Sequence, residues 1–156
     1  MRGGAEFDLA RERVLAWLGD SGAERVDVRI EGLGSSQRID YRLTVGGESR
    51  PVPAGGGVAE AVEQLRHAQA LPRHGAWLSS HLWMDADKGV LHQESDWMGE
   101  PDLGDGEGEP DADRCAEELE MHPREPGLTP HWMRTRSGID KPGPTYSPPA
   151  PSSRRS

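Results

Sequence analysis

Hydrophobic and polar residues alternate strictly from Arg25 to Glu31. Val26, Val28 and Ile30 share one side, and Asp27, Arg29 and Glu31 share the other. A period of two is that of a strand with one covered and one wet face. The period returns from Arg38 to Val45, where Ile39, Tyr41, Leu43 and Val45 are the apolar set. The stretch Gly32 to Ser36 between them reads as a turn, and Gly46-Gly47 as a two-residue hairpin loop. Glu48 to Val52 makes a short third strand. Pro51 confines it to an edge or a strand end, because proline brings no N–H to a ladder. These segments predict a three-stranded meander.

Helical spacing flanks the meander. Phe7, Leu9, Ala10, Val14, Trp17 and Leu18 fall near one stripe over residues 7–19, with Gly19 or Gly22 as the stop. Val58, Val62, Leu65 and Leu71 give residues 58–71 a second stripe, which Pro72 ends. Residues 76–84 and 90–98 predict a second hairpin around the turn-rich Asp85 to Gly89. Residues 99–110 are acidic and glycine-rich, hence loop, and residues 111–122 predict a third helix stopped by Pro123. Residues 128–133 bring an aromatic back towards the body. The expected fold is α+β: an antiparallel sheet of about five strands, a three-stranded meander plus a hairpin, packed with two or three helices. It forms one domain over residues 1–133. Residues 134–156 are rich in Pro, Ser and Arg, cannot bury a core, and read as a disordered basic tail.

Charge changes this picture. Residues 94–125 hold thirteen Asp and Glu against two Arg, while the whole chain carries −9. The net negative charge therefore sits in one block. A charge run usually means a solvated face. This one is interrupted by Trp97, Met98, Leu103, Leu119 and Met121, so part of it can pack. The sign argues against nucleic acid and anionic membrane as partners and favours a basic protein surface. Only 33% of residues are apolar, and Cys115, the single cysteine, cannot form an internal disulfide. The start of the chain is charged and lacks an apolar secretory core, and no run is long enough to span a membrane. A cytoplasmic location is expected.

Catalytic and metal chemistry finds little support in the spacing. His81 and His92 lie on neighbouring predicted strands and could face each other. His67, His74, His122 and His131 are scattered, and zinc needs three or four convergent ligands. Asp85 to Gly89 and Asp105 to Pro110 lack the full acid pattern of a calcium loop. Gly55-Gly56-Gly57 lacks the ending of a phosphate loop. Glu94 and Asp96 share a strand face, the usual state of such a pair being solvated. No cofactor and no metal are expected. Five tryptophans against one phenylalanine leave a sharper question. Trp17 and Trp77 read as core. Trp83, Trp97 and Trp132 lie beside acidic or polar segments and suit either packing or a partner interface.

The order of parts resembles the YezG-type immunity (antitoxin) proteins of bacterial polymorphic toxin systems. The resemblance rests on Gly75-Ala76-Trp77-Leu78-Ser79-Ser80-His81-Leu82 opening a hairpin, Gly89 in its turn and Glu94-Ser95-Asp96-Trp97 closing it. Ala116 to Arg124, followed by Pro130-His131-Trp132-Met133, is similar to a closing element of such domains. It covers residues 7–133. Ser95 stands where family members often carry an aromatic, and the acidic loop and basic tail are additions.

The resemblance implies a non-enzymatic protein that binds a cognate toxin in the producing cell. Because many such toxins are nucleases, the acidic block could fill a site shaped for phosphates. On this reading Trp83, Trp97 and Trp132 are the anchors. Glu94, Asp96, Glu100, Asp102, Asp105, Glu107 and Glu109 are the complement to a basic partner. Two other classes stay open: a small hydrolase or transferase using Glu94, Asp96 and His92, and an adaptor that docks through its tail.

Overall fold

The computed structural model describes residues 4–55, 57–103 and 112–137. Helix α1 (Gly4–Ser21) leads into strands β1 (Arg25–Leu33), β2 (Ser36–Val45) and β3 (Glu48–Val52). Helix α2 (Val58–Ala68), strands β4 (Ser79–Asp85) and β5 (His92–Asp96), and helices α3 (Ala112–Met121) and α4 (His131–Ser137) follow. The fold is α+β. One antiparallel sheet has the order β3-β2-β1-β4-β5, so the meander and the hairpin meet where β1 pairs with β4.

The alternation in β1 determines the layers. Val26, Val28 and Ile30 are fully buried beneath α1 and α2, joined by Leu82 and Met84 of β4 and by Val14, Val62 and Leu65 of the helices. Trp17 and Trp77 are buried in this cluster, as expected of core indoles. Trp77 also satisfies its N–H on Gln69 Oε1 at 2.8 Å. The opposite face of the sheet carries Asp27, Arg29 and Glu31 outward, while Leu33, next in the same phase, packs with Cys115 of α3 and Met133 of α4.

Turn chemistry follows the sequence at both ends of β2. Gly46 and Gly47 take φ of 60° and 80°, the pair of left-handed conformations that a tight hairpin needs, and Val45 pairs with Glu48 across them. Between β1 and β2 the turn is tighter than the Gly32–Ser36 stretch predicts: Leu33 already pairs with Ser36. Strand β3 is an edge strand, the place its proline allows.

Several elements differ in extent. Helix α1 passes Gly19 and stops at Ser21, where Gly22 donates back to Leu18 O at 3.0 Å. Helix α2 ends at Ala68, because Leu71 instead pairs with Gly75 in a small bridge. Strand β5 covers only His92–Asp96 of the predicted 90–98. Helix α4 runs through Ser137, four residues beyond Met133. Its last turn carries Arg134 and Arg136, which suit the negative end of a helix dipole. A second, smaller core of Leu33, Leu78, Cys115 and Met133 joins α3 and α4 to the ends of β1 and β4. Residues 138–156, read from composition as tail, lie outside the described residues.

Candidate functional site

The open sheet face is built in cross-strand rows, since residues directly opposed in antiparallel strands share a face. One row runs Arg42, Asp27, Trp83, His92. The next runs Asp40, Arg29, His81, Glu94, and the third Arg38, Glu31, Ser79, Asp96. His81 and His92 therefore do not face each other. Trp83 opposes His92, and Glu94 opposes His81. The indole of Trp83 stacks on His92 with ring centres 5.1 Å apart and lies 4.7 Å from His81, with the Arg25 guanidinium 5.8 Å from its centre. Trp83 is half-buried, so an indole edge remains at the surface.

A charged brace supports this row. Arg25 makes two hydrogen bonds of 3.0 Å to Asp27, and His81 Nε2 lies 2.7 Å from Asp27 Oδ1. Burial pushes the Asp27 carboxyl up, but hydrogen bonds from Arg25 and His81 and the nearby positive charge outweigh it and hold Asp27 below its usual range. Beside the brace, a shallow groove of about 390 Å³ is lined by Arg29, Glu31, Ser79, His81, Glu94 and Asp96. Burial raises the Glu31 carboxyl there, although its Oε1 accepts the Asp102 N–H at 2.9 Å.

The acidic segment is pinned along its described length. Asp96 Oδ1 accepts the Met98 and Gly99 N–H groups, both at 3.0 Å, and these bonds lower its pKa. Glu100 lies 2.9 Å from Arg136 of α4, and Asp102 lies 3.3 Å from Arg38 of β2. Glu94 points from the exposed side of β5 into the groove. Asp105, Glu107 and Glu109 lie outside the described residues.

The two other candidate tryptophans sit apart from Trp83. Trp97 is half-buried against the main core. Trp132 packs on the small core, donates its N–H to Met98 O at 2.8 Å and has Arg136 5.8 Å from its ring. It fastens the segment after β5 to α4. The structure thus separates the three candidate tryptophans: Trp83 lies on the open sheet face, Trp97 on the main core, and Trp132 on the small core.

A cluster that sequence spacing does not reveal lies beneath α3. Arg66 and Glu118 are both fully buried, with Nη2 and Oε1 2.7 Å apart. Arg66 Nε donates to Trp77 O at 2.6 Å, and Glu118 Oε1 accepts the Gly34 N–H at 2.7 Å. His67 and His122, scattered in sequence, meet here with Nδ1 and Nε2 2.7 Å apart and rings stacked at 4.9 Å. Arg124 donates to Ala76 O and Leu128 O, and burial lowers its pKa. The one sequence hint is a charged residue at the helical phase of a core position, as Arg66 stands next to Leu65 and one turn past Val62.

Among the described residues no group of three or more His, Cys, Asp or Glu converges to hold a metal, and no helix is long and apolar enough to cross a membrane. No family model matches the chain, and no curated protein matches it.

Proposed function

We propose that this protein is an immunity protein of the YezG type that binds and neutralises a cognate toxin with a basic surface, such as a nuclease domain, in the cytoplasm of the producing cell. What supports the reading is a row of carboxylates on a rigid scaffold. Glu94, Asp96, Glu100 and Asp102 follow one another along β5 and the pinned segment after it, with Trp83 on the neighbouring strand, Trp97 within the run and Trp132 fastened to Met98. Charge fixed in position speeds encounter with an opposite surface, whereas half-buried indoles beside it govern how long the complex lasts. Co-expression with the toxin domain tests the proposal: the chain restores growth, and Glu94→Arg slows association of the purified pair. A chain that binds but leaves the toxin active contradicts neutralisation.

One observation favours a second reading, a small hydrolase. The groove places Glu94 opposite His81, whose imidazole is oriented by Asp27 as a general base would need. In that case His81, not His92, would act beside Glu94, because Glu94 opposes His81 across β4 and β5 while His92 opposes Trp83. A turnover lost on both Glu94→Gln and His81→Gln would support it.

A further inference from the structure

The His67–His122 contact does more than fill space. His67 lies in the last turn of α2, and His122 follows directly on α3, 55 residues later in the chain. A nitrogen–nitrogen hydrogen bond needs one N–H and one bare lone pair, so it exists only while at least one of the two rings is neutral.

The surroundings decide what protons do here. The ionic groups acting on the pair are Arg66 from α2, Glu118 from α3 and Arg124 from the segment after α3. Two guanidiniums against one carboxylate make the neighbourhood positive before either ring gains a proton. Both rings are half-buried. Burial lowers the pKa of each, Arg66 lowers both further, and Arg124 and the other ring act on His122 in the same sense. Glu118 opposes this only in part.

We propose that His67 and His122 form a proton-sensitive latch that holds α3 to α2 at neutral pH and releases α3 on acidification. The first proton is shared across the contact. The second removes the last acceptor and sets two imidazolium rings face to face beside Arg66 and Arg124. The helix loosened this way stays joined to the rest of the fold by the Arg66–Glu118 pair, Glu118 on Gly34, Glu117 on Ser35 and a small apolar cluster, not by the main core. The latch stands independently of any toxin.

The sign follows from linkage. A histidine whose folded pKa is depressed takes up protons more readily when unfolded, so stability is full above the unfolded value of about 6.5 and declines as pH falls below it. Amide hydrogen exchange of the full chain, corrected for intrinsic rates, measures the effect at pH 7.5 and pH 5. Residues 112–121 should lose about tenfold or more of their protection, because the folded pair binds protons more weakly than the released one. Strands β1 and β2 should keep theirs. In His67→Gln/His122→Gln, which cannot titrate, that loss should shrink. Protection of α3 that is unchanged with pH, or an equal loss in the Gln variant, overturns the latch. If the variant folds poorly, ring titration of the wild-type chain by NMR decides. Both midpoints below 6.5 support it, and a midpoint at or above 6.5 for either ring contradicts it.

Discussion

The two cores of this molecule are held together in different ways. Under α1 and α2 the contacts are mostly apolar: Val14, Val26, Val28, Ile30, Val62, Leu65 and Leu82 are buried together, with the buried Arg66 of α2 donating to Trp77 O beside them. Under α3 the buried apolar residues among those described are Leu33, Leu78, Cys115 and Met133, with Leu103, Leu119 and Trp132 packed against them, and the remainder of the attachment is polar. It consists of the Arg66–Glu118 pair, the two histidines and Arg124 threading its guanidinium to Ala76 O and Leu128 O. Apolar burial is insensitive to pH and salt, whereas a polar attachment is only as strong as its complete set of partners. The difference teaches where conditions can act on this fold without melting it.

The largest effect should come from breaking the buried pair. Glu118→Ala strands a guanidinium with no exposure, and urea unfolding should show a loss of about 3–5 kcal/mol. Leu82→Ala in the apolar core should cost about 2–5 kcal/mol. The two regions part in the double variant. Arg66→Met/Glu118→Leu should recover part of the loss, because apolar groups of similar volume can replace a buried ion pair, while Trp77 O and the Gly34 N–H lose their side-chain partners. A Glu118→Ala protein as stable as wild type would end the comparison.

Gly32 sharpens it at a smaller scale. A methyl group there would come within 2.7 Å of Arg66 Cδ, so β1 carries glycine to let the arginine pass. Gly32→Ala should destabilise by about 1–3 kcal/mol as an overpacking change. The cost should fall when Arg66 is shortened to Ala in the same chain, as thermal melts of the two pairs would show. The smallest effect belongs to the surface. Arg38→Ala removes the contact to Asp102 at 3.3 Å and should change stability by only about 0–1 kcal/mol, less in high salt.

The first region is legible in the sequence and the second is hidden, for a physical reason. Alternation over Val26, Val28 and Ile30 and the stripe of Val14, Trp17 and Leu18 are local signals, and the sheet and its helices follow them closely. Strand β5 is shorter than expected: His92-Gln93-Glu94-Ser95-Asp96 has no apolar alternation and is held by pairing with β4 and by the Gln93–Gln69 side-chain bonds. Helix α4 is hard to foresee because Arg134 and Arg136 look like the start of a basic tail, although they also suit a helix C-terminus. The Arg66–Glu118 and His67–His122 contacts join residues more than fifty positions apart, and no spacing rule links them. The candidate interface is legible as composition, an acidic run with tryptophans. The pinning of Asp96, Glu100 and Asp102 needs coordinates.

The proposed function stands or falls on association with a basic partner. The most direct measurement is stopped-flow mixing of the full chain with the domain encoded at the end of the gene beside its own, the candidate toxin under the proposal. The series would run from about 0.01 M to about 1 M salt, where the screening length drops from about 30 Å to about 3 Å. The expected result is a one-to-one complex whose association rate falls steeply across that range, while Glu94→Arg slows it at low salt and Trp97→Ala chiefly hastens dissociation. No complex, or an association rate indifferent to salt, would contradict it.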